Sequence, residues 1–109
     1  MIVTLHLRVL PEKRLDMLKT IHAAIGPTDA QSGCIGCELF NSTQNDDSLL
    51  LMGKWQSRED LYRHIKTPEF QKIMVAMDSA CEPPEISFSE CGLTEGMELV
   101  EKILGDNER

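Results

Sequence analysis

The run Ser48-Leu49-Leu50-Leu51-Met52-Gly53-Lys54-Trp55 constrains the fold more than any other part of the chain. Successive side chains of a strand point to opposite faces. Here apolar residues fall on both, so a strand of this composition needs cover on each side of its sheet. Immediately before it, Ser42-Thr43-Gln44-Asn45-Asp46-Asp47 is dense in turn formers and marks a hairpin tip. Cys34 to Asn41 reads as the strand entering that tip. The middle of the chain is therefore an antiparallel pair whose second member is doubly buried.

The flanks supply the rest. Ile2 to Val9 alternates, with Val3, Leu5, Leu7 and Val9 on one face and Thr4, His6 and Arg8 on the other, as in a half-buried strand. Pro11 suits the first turn of a helix. Leu15, Leu18, Ile21, Ala24 and Ile25 follow at helical spacing, and Gly26-Pro27 is expected to end that helix near residue 25. Thr28 to Gly33 reads as a polar loop. After Trp55, Ser57 is placed to cap a helix with Asp60 three residues on, and Leu61, His64 and Ile65 share its apolar face. Pro68 breaks the pattern. A second helical segment turns Phe70, Ile73, Met74 and Met77 inward, and Pro83-Pro84 ends it. Glu85 to Cys91 alternates as a fourth strand. A last helix opens at Thr94, carries the stripe Met97, Val100, Ile103 and Leu104, and is expected to stop at Gly105.

Strand, helix, strand, strand, helix, strand is the split βαβ order of a ferredoxin-like α+β domain. It predicts a four-stranded antiparallel sheet with helices on one face and an extra C-terminal helix. The second face then needs its own cover, and the simplest is another copy of the chain, a two-fold homodimer with stacked sheets. Residues 1–93 form the domain in this reading. Residues 94–109 form a helical tail whose apolar stripe docks on the partner.

With 109 residues, the length fits one domain. Hydrophobic residues at 41% and charged residues at 27% fit a soluble globular class. A net charge of -7 without a basic stripe argues against nucleic-acid binding. No apolar run is long enough to span a bilayer. The segment Met1-Ile2-Val3-Thr4-Leu5-His6 has no basic n-region, so a cytoplasmic protein is expected. Cys34 and Cys37 have C-x-x-C spacing, but on a strand. There, positions three apart face opposite ways, and Cys81 and Cys91 do not complete a metal site. Ordinary reduced thiols and no metal are expected.

Three pieces of the chain carry a resemblance. They are Ser32-Gly33-Cys34-Ile35-Gly36-Cys37-Glu38-Leu39-Phe40, then Trp55-Gln56-Ser57-Arg58-Glu59-Asp60-Leu61, then His64 with Thr67-Pro68-Glu69-Phe70. In this order they resemble the antibiotic biosynthesis monooxygenase family, over about residues 1–93, and within it the quinol monooxygenase-like branch. The resemblance implies a dimeric α+β barrel and a small-molecule aromatic substrate. It also implies oxygenation without cofactor, the substrate itself donating electrons to dioxygen. The haem-degrading branch fits poorly, because no His follows His64 and Met74 falls near the position of that branch's haem ligand.

Chemistry of this kind needs an apolar pocket, a base and a group that steadies an oxyanion. His64 is the candidate base, since imidazole titrates near neutrality. Trp55 and Phe70 are candidate walls for a flat ring. His6 and Tyr62 are further candidates for hydrogen bonds to substrate oxygens. No G-x-G-x-x-G or P-loop occurs. Each residue also has a structural reading: a paired core histidine, a core Trp, an amphipathic surface Tyr, an interface His6. Three functions follow, with distinct signatures. A pocket wide enough for an aromatic ring favours a monooxygenase. Cations at its mouth, from Arg8, Arg63 or Lys66, favour an isomerase of a small, possibly phosphorylated, carbonyl compound. A pocket filled by its own side chains favours a non-catalytic dimeric binding protein.

Overall fold

A computed structural model of the chain describes residues 1–45, 47–78, 80, 82–90, 92 and 95–107. Its strands are β1 (Ile2–Arg8), β2 (Cys34–Asn41), β3 (Ser48–Trp55) and β4 (Glu85–Ser89). Its helices are α1 (Pro11–Asp29), α2 (Arg58–Ile65), α3 (Pro68–Met77) and α4 (Met97–Asn107). The sheet runs β2-β3-β1-β4 and is antiparallel throughout. This is the ferredoxin-like arrangement expected from the element order. No described helix is long and apolar enough to cross a membrane.

Alternation in β1 and β3 builds the core. Val3, Leu5, Leu7 and Val9 face the helices together with Leu49, Leu51 and Trp55, and all are buried. On the opposite face, Ile2, Leu50 and Met52 are half-buried and Phe40 is exposed. The double apolarity of β3 is thus real, but one chain covers only its helix side.

Four local expectations are corrected. First, α1 does not stop at Gly26-Pro27 but continues to Asp29. Pro27 removes the N–H that would have bonded the Ala23 carbonyl, yet Ala23 and Pro27 both lie on the solvent side, where water can serve that carbonyl. The buried stripe Met17, Ile21, Ala24 and Thr28 carries the helix on, whereas Leu15 is 62% exposed. Second, the register of β2 against β3 shifts between Cys34 and Gly36. The bulge adds a residue at Ile35 and resets the alternation. Cys34 and Cys37 therefore sit opposite Trp55 and Gly53, on the same face rather than opposite ones. Third, the fourth strand ends at Ser89 rather than Cys91, and it is exposed along its length, Ile86 and Phe88 included. Fourth, α4 starts at Met97 and runs through Gly105 to Asn107, while Thr94 and Cys91 lie outside the described residues. Its apolar residues Met97, Val100, Ile103 and Leu104 stay exposed. The radius of gyration, 16.7 Å, exceeds the roughly 13 Å of a compact chain this size, as a projecting helix requires.

Two joints position α2 and α3. Ser57 caps α2, accepting from the Asp60 amide at 3.1 Å while its hydroxyl donates to the Asp60 carboxylate at 2.8 Å. That carboxylate packs on Gly33, whose φ of +84° and lack of a Cβ are both required; a Cβ there would lie 2.1 Å from Asp60 Cγ. Thr67 then caps α3, accepting from the Phe70 amide, and its hydroxyl donates to the His64 carbonyl at 2.6 Å. Pro68 at the first position of α3 lets the chain turn there without an orphaned donor.

Candidate active site

These joints bring the last turn of α2 and the first turn of α3 over the end of β3. His64 is buried and lies between two aromatic rings. Its imidazole stacks on Trp55 with centroids 4.6 Å apart and planes 25° apart. Phe70 approaches edge-on at 5.3 Å and 78°. Gly53 makes room for the indole: a Cβ there would meet Trp55 Nε1 at 3.2 Å and Val3 Cγ1 at 3.1 Å.

His64 Nδ1 lies 3.1 Å from Gln31 Oε1. With the amide oxygen as acceptor, Nδ1 carries the proton and Nε2 keeps its lone pair. Burial pushes the His64 pKa below its ordinary 6.5, against an opposing pull from Glu69. The imidazole is therefore neutral at pH 7 and competent as a base.

His64, Trp55, Phe70 and Gly53 line one cavity together with Thr28, Cys37 and Ile86; the rest of its wall is apolar. It measures about 30 Å³. A water needs roughly 10–15 Å³, and a cavity known to admit benzene measures about 150 Å³. The space beside His64 holds one or two small molecules, not a ring. No Arg or Lys of the described residues lines it. A larger groove of about 830 Å³ runs between α1 and α3 but shares no lining residue with this cavity.

The remaining sequence candidates lie elsewhere. His6 sits on the opposite face of the sheet, hydrogen-bonded to Ser48. Tyr62 is exposed and borders a separate surface cleft with Met1, Arg58 and Phe88. Arg8 pairs with Asp47 and Glu82, and Arg63 with Asp60. Burial, and then the charges of Cys34, Asp29 and Glu38, push the Cys37 thiol up to about 11. Burial and Asp29 also raise Cys34. Neither thiol is a thiolate at pH 7, so neither is an activated nucleophile.

Thr28 and Gln31 escaped the sequence reading, which placed both in a loop. The spacing 17, 21, 24, 28 was the available signal for Thr28. Nothing local pointed to Gln31, which meets His64 across 33 residues of chain.

The fold and the buried imidazole define a small ferredoxin-like α+β protein with an apolar interior site. The chain belongs to the antibiotic biosynthesis monooxygenase family, whose model matches residues 1–76. It is similar in structure to Rv0793 of Mycobacterium tuberculosis, at 21% identity and a TM-score of 0.76, covering 86% of this chain and 97% of that one. It is also similar to a conserved protein of Methanosarcina mazei, at 23% identity and a TM-score of 0.74, over 79% and 86% of the two chains. A solved antibiotic biosynthesis monooxygenase shares the fold at 15% identity and a TM-score of 0.74, over 83% and 96%. In sequence it resembles the uncharacterized protein sll1783 of Synechocystis, 25% identical over 86% of this chain; the match spans 65% of that protein's length.

Proposed function

We propose that this chain is a cofactor-independent monooxygenase acting on a small phenol, quinol or related aromatic, with His64 as the base. The observation that carries the reading is a neutral, buried imidazole held at Nδ1 by Gln31 within an apolar cavity. His64 Nε2 takes the substrate proton, and the electron pair of the broken bond stays on the substrate. The anion passes one electron to dioxygen, and the radical pair joins at carbon. The peroxide so formed takes the proton back from His64, and its O–O bond then breaks as the remaining hydrogen on that carbon is lost, so one oxygen atom stays in the product as a carbonyl and the other leaves as water. Trp55 and Phe70 bracket the imidazole and exclude solvent.

Only the reacting edge of a substrate fits the cavity as it stands. Its ring would rest on the uncovered apolar surface of Ile86 and Phe88, or displace Ile86 and Phe70. The apolar outer face of β3 supports a homodimer with stacked sheets. Tyr62 and His6 stay outside this proposed centre.

The small cavity also supports a second reading, a dimeric binding protein without turnover. The phosphorylated-carbonyl isomerase has no cation at the cavity to support it among the described residues.

Dioxygen uptake by purified, chelator-treated protein with hydroquinones and anthrones tests the proposal. Uptake that collapses in His64→Ala supports it. Uptake no faster than the uncatalysed background sinks the oxygenase and leaves the binding reading.

A further inference from the structure

Two buried polar atoms at the His64 cavity have no hydrogen-bond partner among the described residues: Thr28 Oγ1 and Trp55 Nε1. Thr28 and Trp55 are each only 1% exposed. Buried donors are almost always satisfied, so a pair of orphans lining one cavity calls for an explanation. A helical Thr usually bonds the carbonyl four residues back. Thr20 does so in this same helix, donating to the Asp16 carbonyl at 3.0 Å. Thr28 does not. Its hydroxyl reaches the site only because α1 runs through Pro27. The indole N–H reaches it because Gly53 lacks a side chain.

We propose that the Thr28 hydroxyl and the Trp55 indole N–H form a two-donor site for a single oxygen atom. Its ligand class is the oxyanion of a phenol or enol, with water as the resting occupant. The chemistry follows from the inventory. An indole N–H can only donate and a hydroxyl readily donates, while His64 lines the same cavity and offers an acceptor at its unprotonated nitrogen. A phenol O–H would give its proton to Nε2, and the electron pair left on oxygen would face both donors. Donors held rigidly in a dry cavity stabilise such a charge more than water does. The cavity's 30 Å³ admits an oxygen atom and the atoms beside it but not a whole ring. This inference rests on His64 being the base of the proposed function.

The probe is 4-nitrophenol, whose ionised form is coloured and whose binding needs no dioxygen. The chain has one Trp, so the indole N–H gives a single resonance. We expect that resonance to move as the probe binds, and the bound probe to ionise at lower pH than in solution. Thr28→Val keeps the shape and removes the hydroxyl. It should still fold, because the two side chains are nearly the same size, while phenolate affinity falls about tenfold and oxygenase turnover by roughly 10²-fold. An unmoved indole resonance, or equal phenolate affinity in Thr28→Val, overturns the donor pair, as does absence of any binding. Phenolate binding that depends on Thr28, without dioxygen uptake, upholds the donor pair and sinks the oxygenase. Uptake that needs His64 but ignores Thr28 does the reverse.

Discussion

His64 lies face to face on Trp55, 4.6 Å between ring centroids, with Nδ1 of the imidazole held by Gln31. This contact makes the only Trp a reporter on the state of the candidate base. An imidazolium in contact with indole quenches its fluorescence. Emission should fall on acidification with a midpoint below 6.5, because burial disfavours the charged ring. His64→Gln should remove the transition. A midpoint at or above 6.5 would show that the pull of Glu69 outweighs burial.

The same shift ties stability to pH. The unfolded chain holds His64 near pKa 6.5 and the folded chain holds it lower, so the unfolded state takes the proton first. Stability from this group is full above about pH 6.5 and declines as pH falls from there toward the folded value. Urea midpoints measured at about pH 7.5 and 5.5 should separate more in the wild type than in His64→Gln. Equal separations would remove His64 from the pH dependence.

Gln31 governs which imidazole nitrogen is free. Gln31→Glu sets a carboxylate beside Nδ1 and should raise the His64 pKa, shifting the fluorescence midpoint upward. Gln31→Leu should mix the tautomers, visible in the imidazole ¹⁵N shifts, while the fold persists. Unchanged shifts in Gln31→Leu would mean that the ring is oriented by packing alone.

Gly33 and Gly36 stand three residues apart with opposite demands. Ala at Gly33 meets both a φ of +84° and the Asp60 carboxylate. It should cost about 1–3 kcal/mol, a drop of several degrees in Tm. At Gly36 nothing lies within 4 Å of an added Cβ, so Gly36→Ala should change stability by less than about 0.5 kcal/mol. Equal melting of the two variants would contradict the joint between Gly33 and α2.

The tail helix tests the assembly. Because α4 keeps its apolar stripe exposed, a chain ending at Gly92 should keep its unfolding transition and lose only the helical circular dichroism of α4 itself. If α4 docks on a second copy, sedimentation equilibrium should show weaker self-association in the truncated chain. Unaltered association would dispose of that docking.

Element order, strand faces and helix caps could be read directly from the sequence, because they rest on contacts within a few residues. Val3, Leu5 and Leu7 alternate, Ser57 caps at Asp60, and Pro68 opens α3, as the spacing requires. The meeting of His64, Trp55 and Phe70 was legible for the same reason, since one strand end and two short helices carry all three. Tertiary structure decided the rest. Burial of Thr28 carried α1 past a Gly-Pro stop, and a bulge at Ile35 turned Cys34 and Cys37 to one face. The Gln31 partner and the size of the cavity came from packing between segments far apart in the chain. Local periodicity shows which side chains turn inward; only long-range packing decides what they meet there and how much space remains.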